Sequence, residues 1–236
     1  MNDDIIRITD DDLKDTAHMD LMSPTTPDGG MLSNWNPSEQ SVPGKQSVDI
    51  VLCVDTSGSM EAADYLPSRL AAAKDAALMF TKRKVTQNYN DRVAVIGFGG
   101  NATVVHPLEK NLDSVGASIS KLNVTHSGTS LGHALSAAYK ELSRFNSPRR
   151  AIVLLSDGGD EYDNSKPEKI ASSHKGIKVF TIGLGTTKGA HVKFLGKSVS
   201  LNETILKQIA NVSGGEYLHA PGVPELQRIY LNLADY

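Results

Sequence analysis

Short apolar runs alternate along the chain with longer segments whose apolar residues recur every three or four positions. The short runs are mostly Val, Ile and Leu without strict alternation, which is typical of strands covered on both faces. We predict buried strands over four such runs: 50–54, 93–98, 151–155 and 177–184.

Two of the longer segments each keep a single apolar stripe at helical spacing, as amphipathic helices do when they pack on a sheet. The first stripe comprises Leu66, Leu70, Ala73, Ala77 and Phe80, and the second comprises Leu131, Leu135, Ala138 and Leu142. Pro67 fits the first turn of the first helix, where its missing N–H costs nothing. Further helices are predicted over 111–122, 166–174, 202–212 and 224–233.

One connection is too short for a crossover helix. Gly99, Gly100 and Asn101 alone separate the run 93–98 from the strand-like run 103–106, which predicts a hairpin. A second small hairpin is predicted within 186–200, before the penultimate helix. We therefore expect an α/β fold with a doubly wound, mostly parallel six-stranded sheet, one antiparallel edge strand and helices on both faces.

Charge and proline are concentrated at the start of the chain. Residues 1–45 hold nine acids, three bases and four prolines, so their net charge is −6, whereas the rest of the chain carries +3. Such a composition favours disorder. We expect residues 1–46 to be an acidic, Pro-rich extension, disordered or loosely docked, with Trp35 as one candidate anchor, and residues 47–236 to be the folded domain.

Composition narrows the class of protein. A net charge of −3 over 236 residues gives no reason to expect a nucleic-acid or membrane partner. Cys53 is the single cysteine and cannot form an intramolecular disulfide; within an apolar run it is expected to be a small buried residue. No apolar stretch reaches the length of a membrane span or secretory signal. We expect a cytoplasmic protein that is monomeric alone.

Oxygen-bearing side chains follow two of the predicted strands and precede one of the predicted helices. Asp55, Ser57 and Ser59 come directly after the first strand, at a spacing that sends all three to one side of extended backbone. Thr129 precedes the helix over 131–142, and Asp157 follows the strand over 151–155. Because ligands gather at the carboxyl ends of the strands in such sheets, these five residues are predicted to converge.

All five candidates are hard oxygen donors, which indicates Mg²⁺, with Mn²⁺ or Ca²⁺ as alternatives, and disfavours zinc or copper. Only Asp55 and Asp157 are charged. An ion held mainly by hydroxyls and water keeps unneutralised charge and an open position, so it attracts a carboxylate from outside.

The sequence Asp55-Thr-Ser-Gly-Ser, with Thr129 and Asp157 downstream, resembles the metal-ion-dependent adhesion site of von Willebrand factor A domains. The resemblance covers about residues 47–236, including the antiparallel strand after Phe98 and the Gly-Gly pair followed by 216–219. It implies a Rossmann-like sheet in which the two serines bind the ion directly, Thr129 binds directly or through water, and the aspartates often act through water. It also implies a sixth ligand, an Asp or Glu of a partner protein.

Plainer interpretations stand beside this one. Asp55-Thr-Ser-Gly is also the sequence of an Asx-type turn that caps a helix. Four further acids are expected near the same rim, where they form a solvated acidic surface or a second ion site: Asp64, Asp160, Glu161 and Asp163. His126 lies close to the Thr129 loop. We expect it to have a structural role or to face solvent, and contact with a ligand is the less favoured alternative.

The function that the sequence predicts is an Mg²⁺-dependent protein-interaction module that binds an acidic side chain of its partner. A metal-assisted hydrolase or phosphatase is the alternative, but no nucleophile elbow and no second aspartate at position 57 supply the usual catalytic parts, so we expect no enzymatic activity. A third reading, an adaptor subunit of an ATPase or chelatase complex, is a special case of binding.

Overall fold

The computed structural model describes residues 46–88, 90–159, 165–186, 189–192 and 195–236. The strands are β1 (Val48–Asp55), β2 (Arg92–Phe98), β3 (Ala102–Glu109), β4 (Arg149–Ser156), β5 (Lys178–Leu184), β6 (Ala190–Val192), β7 (Lys197–Val199) and β8 (Tyr217–Ala220). The helices are α1 (Arg69–Gln87), α2 (Leu112–Ser120), α3 (Leu131–Leu142), α4 (Pro167–Ser173), α5 (Glu203–Ser213) and α6 (Val223–Ala234), and a 3₁₀ turn spans Gly58–Glu61. The extension predicted over 1–46, except Gln46, lies outside the described residues.

The central sheet has six strands in the order β3-β2-β1-β4-β5-β8. All neighbouring strands are parallel except β3, which pairs antiparallel with β2 at the edge of the sheet. The strands β6 and β7 form a separate antiparallel hairpin before α5. The predicted α/β class, the antiparallel edge strand and both hairpins are therefore confirmed.

Two apolar cores lie on opposite faces of the sheet. Alternate residues of β1 show the division, because Ile50, Leu52 and Val54 belong to one core while Val51 and Cys53 belong to the other. Helices α1, α2 and α6 cover the first core, and α3, α4 and α5 cover the second. Every residue of β1 is buried, which explains why its sequence is apolar throughout and does not alternate.

The start of α1 corrects one part of the sequence analysis. The helix begins at Arg69, because the Ser68 side chain accepts a hydrogen bond from the backbone N–H of Ala71 and caps the first turn. Pro67 therefore lies before the helix and not in its first turn. Leu66 also lies outside the apolar stripe and is 80% exposed, whereas the other four predicted members of that stripe are buried.

Two expectations drawn from composition can be compared with the structure. Cys53 is fully buried, and burial raises the pKa of its thiol far above the usual range, as expected for a residue that acts as a small apolar side chain. Among the described residues, no helix combines the length and the apolar character needed to cross a bilayer.

The cap of α1 generates a stability prediction. We expect Ser68→Ala to lower the free energy of unfolding by about 1 kcal/mol, because an N–H of the first turn loses its acceptor. Asn111→Ala is the matched control, since Asn111 precedes α2 but its side chain makes no capping hydrogen bond. Urea unfolding of both variants checks this; equal losses would contradict the assigned cap.

Candidate metal centre

The candidate site lies where the order of the sheet reverses. From β1 the chain continues into β2 on one side, while β4 pairs with the other side of β1, and the carboxyl ends of β1 and β4 stand next to each other. A crevice at this switch point is the usual ligand site of a doubly wound sheet. Asp55 ends β1 and Asp157 directly follows β4.

Backbone hydrogen bonds bring the loop that carries Thr129 to the same place. The Thr125 N–H donates to the carbonyl of Thr56 at 2.8 Å, and the Ser130 N–H donates to the carbonyl of Gly99 at 2.8 Å. Both the N–H and the hydroxyl of Thr56 donate to the carbonyl of Phe98, at 2.6 and 2.9 Å. These bonds join the loops after β1, β2 and α2 into one framework.

Four of the five predicted residues line a single cleft of about 150 Å³, namely Ser57, Ser59, Thr129 and Asp157. The fifth, Asp55, is fully buried, and it is linked to the cleft because one of its oxygens accepts a hydrogen bond from the Ser57 N–H at 2.8 Å. The structure therefore brings together the residues that the sequence pattern singled out.

The two serine hydroxyls are spaced like neighbouring ligands of a small cation. Ser57 Oγ and Ser59 Oγ lie 3.0 Å apart. Two adjacent oxygens of an octahedron around Mg²⁺ are separated by roughly 2.9–3.0 Å, given metal–oxygen distances of about 2.0–2.1 Å. Larger ions such as Ca²⁺ need a wider spacing. The donor chemistry and the spacing of this pair therefore fit Mg²⁺.

The two carboxylates place negative charge in the interior. Asp55 and Asp157 are both fully buried. Burial, with the charge of Asp157 as a second cause, raises the pKa of Asp55 to about 7, although hydrogen bonds from Ser156 and Ser57 oppose the shift. A cation bound between the two carboxylates would remove this repulsion, so the arrangement is electrostatically suited to one.

Two buried side chains that hold the carboxylates were not found by the sequence analysis. Ser156 Oγ donates to Asp55 Oδ2 at 2.6 Å and accepts from the Gly158 N–H at 3.0 Å. Arg69 Nη1 donates to Asp157 Oδ2 at 2.9 Å. The position of Ser156, at the end of a strand and next to a candidate ligand, could have indicated its role. No spacing rule relates Arg69 to a residue 88 positions away.

Of the four acids predicted at the rim, the structure describes Asp64 alone. Asp64 does not contribute a free acid, because its two oxygens accept from Nε and Nη2 of Arg69 at 2.9 and 2.7 Å. Residues 160–164, which include the three other predicted rim acids, lie outside the described residues. Across the part of the chain that is described, no three His, Cys, Asp or Glu side chains form a metal-binding group. A metal here would depend on the hydroxyls.

The walls of the cleft have different chemistry. His126, Ser127 and Gly128 contribute polar and backbone groups, and His126 Nε2 lies 3.5 Å from Glu61 Oε1. Leu195 and Val199, from the β6–β7 hairpin, contribute apolar side chains. The sequence predicted the hairpin but gave no signal that it reaches the cleft.

Fold and site together describe a doubly wound α/β domain with an oxygen-lined crevice at its switch point. Residues 50–159 match the family model of the von Willebrand factor type A domain. The von Willebrand factor type A structure from Catenulispora acidiphila superposes with a TM-score of 0.65 at 19% identity, over 80% of this chain and 42% of that one. These findings support a von Willebrand factor type A domain.

The chain is also similar to individual bacterial proteins. A UPF0353 protein of Mycolicibacterium gilvum is 29% identical over 210 residues, which are 82% of this chain and 61% of that protein. The chain thus spans about three-fifths of the length of the curated relatives it matches. The structure of BatB from Bacteroides thetaiotaomicron, described as a conserved hypothetical protein, has a TM-score of 0.66 at 24% identity, over 80% of this chain and 98% of that one.

Gly158 generates a prediction about the loop that carries Asp157. Gly158 and Gly176 both have a positive φ, 74° and 82°, but a Cβ at Gly158 would overlap the carbonyl oxygen of Asn202, whereas nothing lies within 4 Å of one at Gly176. We expect Gly176→Ala to cost about 1 kcal/mol of unfolding free energy, and Gly158→Ala roughly 1–3 kcal/mol more. Urea unfolding measures both; similar losses would show that Gly158 is not constrained by Asn202.

Proposed function

We propose that this domain is a protein-interaction module that binds Mg²⁺ in the cleft and, through the ion, an acidic side chain of a partner protein. The observation that supports this most directly is the combination of two buried carboxylates with a pair of serine hydroxyls 3.0 Å apart at one crevice. Interaction with other proteins is also what similarity to von Willebrand factor type A domains suggests.

In this proposal Ser57 and Ser59 bind the ion directly, and Thr129 binds it directly or through water. Asp55 and Asp157 would balance its charge without being direct ligands. With neutral hydroxyls as its direct protein ligands, the ion would keep an open coordination position. An external carboxylate is the natural ligand for that position.

We propose no catalytic step for this cleft. The hydroxyls of Ser57 and Ser59 hydrogen bond to each other, and no hydrogen bond from either of them to a histidine is seen among the described residues. The role of an adaptor in an ATPase or chelatase complex remains compatible with the proposal, because such a role is also binding. A metal-assisted hydrolase or phosphatase is the competing hypothesis.

Metal binding by the isolated domain is the first test. We expect isothermal titration calorimetry with MgCl₂ to give a binding isotherm that Ser57→Ala weakens by at least about tenfold, because a direct ligand is lost. Ser147→Ala is the control: Ser147 is also a buried serine, but it precedes β4 at the opposite end of the sheet and binds Arg92. Equal Mg²⁺ affinity in wild type and Ser57→Ala would contradict the site assignment.

Partner binding is the second test. A pull-down from the source lysate, made in Mg²⁺ and again in EDTA, is expected to recover a protein only in Mg²⁺ and only with the wild-type domain as bait. Asp55→Ala is the control bait, since it removes one of the two buried charges while leaving the cleft-lining hydroxyls. Partners that persist in EDTA and with Asp55→Ala would place the interaction on another surface.

A further inference from the structure

Arg69 is a buried cation fixed beside the candidate metal centre. Its side chain is fully buried and makes three bonds, two to Asp64 and one to Asp157 Oδ2. The backbone at Gly185 confines it further, because a Cβ added there would lie 2.6 Å from Arg69 Nη2. The guanidinium therefore has little freedom to turn away from either aspartate.

The two carboxylate oxygens of Asp157 have different hydrogen-bond partners. Oδ2 accepts from Arg69 Nη1 at 2.9 Å, while Oδ1 accepts from the Gly159 N–H at 3.2 Å. Asp157 lines the cleft together with Thr129 and Gly159. One oxygen of this cleft-lining carboxylate is therefore held by a permanent cation, and the other by a backbone N–H.

Asp55 has no comparable ion pair among the described residues. Its two oxygens accept from neutral donors, the Ser57 N–H and the Ser156 hydroxyl. A metal ion in the cleft would therefore find Asp157 already paired with a cation and Asp55 held by neutral donors. Arg69 and the ion would draw on the same carboxylate, that of Asp157.

We propose that Arg69 competes with the bound cation for Asp157 and thereby holds down the Mg²⁺ affinity of the domain on its own, so that tight binding of the ion requires the partner's carboxylate. This inference rests on the proposed function and adds a regulatory role for a residue outside the ligand set. Arg69 acts through Asp157 and does not itself touch the ion.

The test is the Mg²⁺ affinity of the whole chain without any partner, measured by calorimetry with MgCl₂. We expect Arg69→Met to bind Mg²⁺ about tenfold more tightly than wild type, because a positive charge near the dication is removed and Asp157 is released. A purely structural role for Arg69 predicts the opposite, a weaker site in a less stable protein. Unchanged or weaker binding by folded Arg69→Met overturns the proposal.

Lys84→Met is the matched control. Lys84 lies on the same helix, is equally buried, and pairs with the buried Asp91 at 2.9 Å, but it is fifteen residues further on and roughly 22 Å away along the axis. We expect Lys84→Met to lower the melting temperature without changing the Mg²⁺ affinity. A similar gain in affinity in Lys84→Met would show that loosening α1, and not the charge of Arg69, causes the effect.

Asp64→Asn provides a second, milder variant in case Arg69→Met does not fold. The Asp64 side chain is 21% exposed, and its substitution leaves Arg69 with Asp157 as its anionic partner. We expect Mg²⁺ affinity to fall several-fold, since Arg69 then draws more strongly on Asp157. Unchanged or tighter binding overturns the proposal.

The same measurements separate this inference from the proposed function. Wild-type binding that Ser57→Ala weakens, together with no gain in Arg69→Met, rejects only the role of Arg69. Absence of Mg²⁺ binding by the wild-type chain rejects the proposed function and this inference together.

Discussion

The structure is organised around two aspartates buried at the ends of neighbouring parallel strands. A carboxylate without water needs donors or cations, and Asp55 and Asp157 face each other's charge as well. A serine hydroxyl, backbone N–H groups and one arginine donate hydrogen bonds to these carboxylates. These groups restrain the carboxylates without neutralising both of them, and the remaining negative charge makes the crevice electrostatically suited to a cation.

The fold positions this crevice by drawing its residues from the sheet and from the helices on both faces of the sheet. The first aspartate and the serines follow the central strand β1, Thr129 precedes a helix on one face of the sheet, and Arg69 begins a helix on the other face. Backbone hydrogen bonds join the loops after β1, β2 and α2 to one another, so the relative positions of the oxygens depend on the register of the strands.

Much of this was predictable from local patterns. Continuous apolar runs identified the buried strands, the stripe from Leu131 to Leu142 identified a helix, and oxygen-bearing residues at strand ends identified the cleft. Local patterns failed where a competing local interaction or a distant contact decides the structure. The Ser68 cap moved the start of α1 past Pro67 and left Leu66 exposed, and the pairing of Arg69 with Asp157 joins residues that only the folded sheet brings together.

The β6–β7 hairpin gives the cleft an apolar as well as a polar lining. Leu195 and Val199 line it together with hydroxyl and imidazole groups. A small hydrated anion presents only water and gains nothing from the apolar residues. An acidic side chain carries methylene carbon next to its carboxylate, so it can contact the apolar residues and the polar groups together.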